Sequence, residues 1–239
     1  MTGPAAVPQL IAHRGAPRER PENTLPSFLR ALELGAEGIE LDVHATQDGV
    51  VVVHHDLVPR ARPPRRALGG RRIDELTFDE IQGFSVQDLA LIPTLKEVLA
   101  VVRGRCAVYI EIKGEGIERQ VVDVVRASPS IGACAIHSFD HEAISRVHAL
   151  ASDIPTGILF DRAVPDPAGA LRLRGARDLW AEWRLVDEAV ADQVHKAKGR
   201  LIAWTVNDPA VARRFAAIGV DAICTDALPV LRDALSLRA

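Results

Sequence analysis

Eight times along the chain a short Val/Ile-rich run is followed by an Ala/Leu-rich amphipathic stretch, and this alternation restricts the fold more than any other feature. The runs at 9–13, 38–43, 107–113, 133–138, 155–160, 178–182, 200–206 and 220–225 are short and apolar, as strands buried in a parallel sheet are. The stretches near 25–35, 94–103, 117–127, 140–150, 167–175, 186–198, 208–218 and 228–237 carry helical periodicity. Thr94 and Glu97 have capping-box spacing, Pro209 follows a capping Asp208, and Gly35, Gly199 and Gly219 stand where helices should stop. Eight strand–helix units in 239 residues predict an α/β chain folded as one (β/α)8, or TIM, barrel domain over residues 1–239. A doubly wound open sheet is the alternative. No low-complexity linker divides the chain.

One segment breaks the alternation. Gln47-Asp48-Gly49 is a turn signal, after which Val50–Val53 should run back as a hairpin and end in His54-His55-Asp56. Residues 57–90 then form an insertion at the barrel mouth. Within it, 60–72 carries six arginines with proline and glycine, and reads as an exposed loop: either a solvated surface or a rim attracting an anion.

In a barrel, functional groups gather at the C-terminal ends of the strands. The first strand ends in His13-Arg14-Gly15, and the second reads Ile39-Glu40-Leu41-Asp42-Val43. Residues two apart share a strand face, so Glu40 and Asp42 converge, and Glu111 and Lys113 repeat that spacing. Adjacent buried acids are costly unless a cation pairs them. Glu40, Asp42 and Glu111 therefore predict a cation site of hard oxygen donors, suited to Mg²⁺ or Ca²⁺. A network neutralised by Arg14 and Lys113 alone is the other reading. Those two cations suit an anionic substrate. His13 and His55 are placed for proton transfer, whereas His54 alternates to the opposite face. His44 and His137 are possible substrate contacts, and Trp204 and Asp226 also lie at strand ends.

A net charge of −3 gives no reason to expect a nucleic-acid partner. Three cysteines without paired spacing fit a reducing compartment. The opening residues lack a basic segment and no apolar run is long enough to span a bilayer, so a cytoplasmic chain without stable membrane insertion is expected.

His13-Arg14-Gly15, Glu22-Asn23-Thr24, Glu40-Leu41-Asp42-Val43, Asp48-Gly49, His55-Asp56, Pro93-Thr94-Leu95, Glu111-Ile112-Lys113, Ser138-Phe139-Asp140 and Trp204-Thr205-Val206-Asn207 follow one another along nearly the whole chain. In this set and order the chain resembles the glycerophosphodiester phosphodiesterases. The resemblance implies a barrel enzyme that cleaves a small-molecule glycerophosphodiester to sn-glycerol 3-phosphate and an alcohol. It implies His13 and His55 as the acid–base pair, Glu40, Asp42 and Glu111 as ligands of a divalent metal, and Arg14 and Lys113 as phosphate contacts. Trp204 is then an expected apolar wall for the glycerol carbons. The chain departs from the family pattern at Leu57–Arg62 and at Thr225-Asp226-Ala227-Leu228-Pro229, both around the mouth, which leaves the alcohol unspecified. Competing classes are a phospholipase D-like or phosphatidylinositol-type barrel and a non-catalytic phosphate-binding barrel. An amidohydrolase-type barrel would need His-x-His where Gly15 stands.

Overall fold

A computed structural model of the chain describes residues 7–63 and 66–236. The opening residues read above for a leader, Pro64 and Arg65 of the basic run, and position 237 of the last expected helix lie outside the described residues. In chain order the first half comprises β1 (Gln9–Ala12), α1 (Leu25–Glu33), β2 (Gly38–Ala45), β3 (Val51–Val53), α2 (Phe78–Ile81), β4 (Ser85–Val86), β5 (Ala90–Leu91) and α3 (Leu95–Val102). There follow β6 (Ala107–Ile112), α4 (Glu118–Arg126), β7 (Cys134–Ser138), α5 (His141–Leu150), β8 (Thr156–Phe160) and α6 (Pro167–Arg174). The chain closes with β9 (Asp178–Glu182), α7 (Glu188–Lys196), β10 (Arg200–Trp204), α8 (Pro209–Ala217), β11 (Ala222–Thr225) and α9 (Leu228–Ser236).

The order β1-β2-β6-β7-β8-β9-β10-β11 is parallel throughout and returns on itself, with Ile11 opposite Gly38 on one side and Cys224 on the other. This is the expected closed (β/α)8 barrel, not an open sheet. The helices start where side chains satisfy their free amides. Glu97 N donates to Thr94 Oγ1 (3.1 Å) while Thr94 N donates to Glu97 Oε2 (2.8 Å) at α3, and Ala210 N donates to Asp208 Oδ1 (2.7 Å) ahead of α8. One expected stop is different. Lys198, not Gly199, takes the left-handed turn after α7 (φ 60°). Gly199 is small for packing, since a Cβ there would come within 2.5 Å of Leu171 Cδ1.

Alternation along each strand sends one set of residues outward to the helices and the other into the barrel. The inward set forms a compact plug of Ile11, Tyr109, Ala135, Leu159, Trp180, Ile202, Ala222 and Cys224. Below it, at the strand N-termini, Tyr109 Oη donates to Gln9 Oε1 (2.8 Å), Arg200 donates to both, and Arg177 clamps the buried Asp178 carboxylate with two bonds of 2.7 Å. These side chains fill the barrel at that end, and the polar residues above the plug face the opposite mouth.

The insertion is more ordered than an exposed loop. Val52 of β3, which pairs antiparallel with β2, gathers Leu68, Ile73, Leu76, Ile81, Phe84, Val86 and Ile92 into an apolar cluster of their own. Leu68 is thus buried inside the Arg/Pro/Gly-rich run whose described arginines stay at the surface. Among the described residues no helix is long and apolar enough to cross a membrane.

The plug needs small partners beside its large rings. A Cβ on Gly157 would lie 2.9 Å from Trp180 Nε1 and 3.0 Å from Trp180 Cδ1. Gly157→Ala should therefore lower the free energy of unfolding by about 1–3 kcal/mol through overpacking, read from urea denaturation. Unchanged stability would show that the Trp180 ring is free to shift.

Candidate active site

The turn after β1 is shaped by backbone conformation as much as by side chains. Arg14 and Asn23 adopt left-handed geometry (φ 54° and 57°), and Gly15 follows at φ 91°. A Cβ on Gly15 would fall 2.4 Å from Ser27 Oγ, so only glycine lets this turn press against α1. The turn aims the Arg14 amide at the Glu40 carboxylate (N to Oε2, 3.1 Å) and folds its guanidinium back onto Asp42 (Nε to Oδ2, 3.1 Å) and Glu22 (3.1 Å).

Register between β2 and β6 sets Asp42 opposite Glu111, and all three acids are buried. Burial, then the charges of Asp42 and Glu111, drive the Glu40 carboxyl well above the usual range. Burial and the neighbouring Asp42 push Glu111 up to about 7 despite Lys113, whose Nζ is 2.7 Å from its Oε1. Burial acts on Asp42 too, but Arg14 and Lys113 outweigh it, helped by the Asn23 amide (2.8 Å to Oδ2), and its carboxyl stays below the ordinary value. Glu40 Oε1 is buried with no hydrogen-bond partner. Two strained carboxylates, one carrying an unpartnered oxygen, fit a divalent cation. Glu40, Glu111 and His137 offer ligand atoms within 4.8 Å of one another. Asp42, the third carboxylate expected of the set, accepts from Asn23 through Oδ2 and pairs with Arg14 and Lys113, while its Oδ1 is buried with no hydrogen-bond partner.

The two expected acid–base histidines both line the cavity, and each is backed by a carboxylate. His13 Nδ1 donates to Asp226 Oδ1 (2.7 Å), and His55 Nδ1 donates to Asp56 Oδ1 (2.6 Å). An ionised carboxylate can only accept, so the proton sits on Nδ1 and Nε2 is left to work. Asp226 is itself held by Asn207, which donates from Nδ2 (2.9 Å) and accepts from the Asp226 amide (2.9 Å). Burial would raise the Asp226 carboxyl, but His13 and Asn207 bring it below its ordinary value. Asp56 is paired on its other oxygen with Arg60.

The cavity, about 210 Å³, is lined by His13, Arg14, Glu40, His55, Glu111, Lys113, His137, Phe139 and Trp204, with Leu159, Trp180 and Cys224 at its base. Trp204 meets Phe139 edge to face, with centroids 5.5 Å apart. His44 does not reach the cavity: its Nε2 donates to the His55 carbonyl (3.1 Å) and supports that turn. His54 is buried on the far side, where its Nε2 accepts from the Arg60 amide (3.1 Å). Asp56, Asn207 and Phe139 carry no signal of a role in the sequence beyond their motifs, and Asp226 none beyond a strand end. All four stand in the quoted motifs or at strand ends, which was the available signal.

A barrel mouth that sets carboxylate-backed imidazoles against a guanidinium and an ammonium group is equipped to work on an anionic ester. The sequence matches the Glycerophosphoryl diester phosphodiesterase family over residues 13–229. The chain belongs to that family and is an enzyme of its class, a phosphoric diester hydrolase. It is 32% identical over 231 residues to the glycerophosphodiester phosphodiesterase of Caldanaerobacter subterraneus subsp. tengcongensis, covering 91% of this chain and 93% of that one. Among solved structures, an Oleispira antarctica phosphodiesterase in complex with the product sn-glycerol-3-phosphate superposes with a TM-score of 0.87 at 25% identity, over 96% of this chain and 97% of that one. A putative glycerophosphoryl diester phosphodiesterase from Silicibacter pomeroyi gives 0.87 at 26% identity, over 98% and 94%.

Burial pushes the His54 pKa down to about 4, with a smaller opposing pull from Asp56. The unfolded chain protonates this imidazole near 6.5 and the folded chain does not. His54 therefore costs stability as the pH falls from about 6.5 to 4, by roughly 3 kcal/mol at most. His54→Gln, which can still accept from Arg60, should flatten the acid limb of the stability profile over that window. Superimposable profiles for the two proteins would refute a neutral buried His54.

Proposed function

We propose that the chain hydrolyses glycerophosphodiesters to sn-glycerol 3-phosphate and an alcohol, by a divalent-metal-dependent mechanism in which His13 and His55 exchange acid and base roles. The observation that carries this reading is the pair of imidazoles, each tied through Nδ1 to a carboxylate (2.7 and 2.6 Å), lining one cavity with Glu40, Glu111, Arg14 and Lys113. The product bound in the Oleispira antarctica relative supports the substrate class.

A phosphodiester monoanion gains charge on its equatorial oxygens as it is attacked. Arg14 is held by Asp42 and Glu22 and Lys113 by Glu111, so both present positive charge without reorganising. Glu40, Asp42 and Glu111 supply the carboxylates for the metal, which when bound adds Lewis-acid charge stabilisation at the phosphoryl oxygens. One imidazole takes the proton of the nucleophile through Nε2, and the other returns a proton to the departing alkoxide. The nucleophile is the neighbouring glycerol hydroxyl, already tethered beside the phosphorus and so at high effective concentration, with a cyclic phosphate opened later by water. Asp226 and Asp56 keep each imidazole in its working tautomer, with Nε2 free toward the cavity. Trp204 and Phe139 make the apolar wall against which the glycerol carbons rest.

His13→Ala and His55→Ala should each lower kcat by about 10²–10⁴-fold, whereas His54→Gln should leave it near wild type. A substrate whose alcohol departs without a proton should rescue whichever variant lacks the acid, and not the other. Equal loss at His54 in a folded protein would overturn the assignment. Excess chelator should abolish release of glycerol 3-phosphate; undiminished turnover would rule out the metal. Trp204→Ala should raise KM more than it lowers the unfolding midpoint, and the reverse pattern would make Trp204 a core residue.

A further inference from the structure

His137 is the cavity residue that the proposed reaction leaves without work, and its surroundings are hard to explain without a cation. It lies one residue before the end of β7 on the inward face, directly across the ladder from Glu111. Its ring is wholly buried, and neither Nδ1 nor Nε2 has a hydrogen-bond partner. Nε2 lies 4.0 Å from Glu40 Oε1, which is also unpartnered. That distance is too long for a hydrogen bond, and two buried polar groups left unsatisfied face to face are each costly.

The ring cannot easily turn away. It stacks on Trp180 with centroids 4.2 Å apart and planes within 6°, so its edge stays directed at the acids. Trp180 is in turn confined by Gly157. Within this frame Glu40, Glu111 and His137 bring two carboxylate oxygens and one imidazole nitrogen within 4.8 Å of one another. A cation among them would satisfy the orphaned oxygen and an orphaned nitrogen together.

We propose that His137 is a nitrogen ligand of the metal and that it biases the site toward a first-row transition ion such as Mn²⁺ or Co²⁺ over Mg²⁺ and Ca²⁺. The inference rests on the reading that Glu40 and Glu111 hold a divalent cation. Imidazole suits the transition ions, while the two alkaline-earth ions take oxygen donors. The oxygen-only set expected from Glu40, Asp42 and Glu111 carries no such preference. In this arrangement Asp42 also holds Arg14 and Lys113 at the edge of the metal.

The test is metal binding by chelator-stripped full-length protein, measured by calorimetry with Mn²⁺, Co²⁺, Mg²⁺ and Ca²⁺ for wild type and His137→Gln. Loss of an outer-shell partner alone costs about 10–100-fold in affinity, so the variant should lose at least about tenfold for Mn²⁺ and Co²⁺. It should lose little for Mg²⁺ and Ca²⁺. Pulsed electron paramagnetic resonance of the Mn²⁺-loaded wild type should also detect nitrogen coupling that the variant lacks, and the wild-type spectrum decides the matter even if the variant fails to fold. Tight binding without nitrogen coupling, or an unchanged Mn²⁺/Mg²⁺ ratio in a folded variant, would overturn the role of His137 and leave the proposed hydrolysis standing. Failure of the wild type to bind any of the four ions would overturn both.

Discussion

Three buried carboxylates at one barrel mouth cannot all carry charge without cations beside them, and most of the site answers that constraint. Asp42 has two fixed cations, Arg14 and Lys113, and an amide from Asn23, so it stays ionised and acts as their anchor. Glu40 and Glu111 have too little positive charge for their depth, and burial lifts both. The site is thus divided into a neutralised half that holds the guanidinium and ammonium groups and a half whose carboxyls are short of neutralising charge. Removing Arg14 or Lys113 would leave a buried charge unpaired, so their structural and chemical roles cannot be separated.

The two imidazoles that line the cavity are supported from two different parts of the fold. His13 is supported from the barrel itself, through Asp226 at the end of β11 and Asn207 just past β10. His55 is supported around the end of the β2–β3 hairpin, through Asp56, Arg60 of the insertion and the His44 imidazole of β2 bonded to its carbonyl. The apolar cluster around Val52 and Phe84 therefore bears on the position of His55. It anchors the β2–β3 hairpin whose end delivers His55 across from His13.

The barrel was legible in the chain because each β-α unit carries its own local signals. Runs such as Val108-Tyr109-Ile110 have no polar face to turn outward, and caps such as Thr94 and Asp208 mark helix starts within a few residues. The period of two along a strand was also enough to put Glu40 with Asp42, Glu111 with Lys113, and His55 opposite His54. These are short-range consequences of backbone geometry, and the sequence by itself determined them.

Which groups on different strands meet is a matter of register and barrel closure, and only the tertiary structure decided it. Nothing local in Ile136-His137-Ser138 indicates that its imidazole stacks on Trp180 and faces Glu40, because that depends on how β7 and β9 are staggered around the barrel. The partnership of His13 with Asp226 spans almost the whole chain and exists because β11 closes against β1. The buried leucine in the arginine-rich run likewise had no periodic neighbours to announce it, since its partners come from separate turns. Local sequence sets which face a residue occupies, whereas the identity of its neighbour across the barrel is a long-range property of the closed sheet.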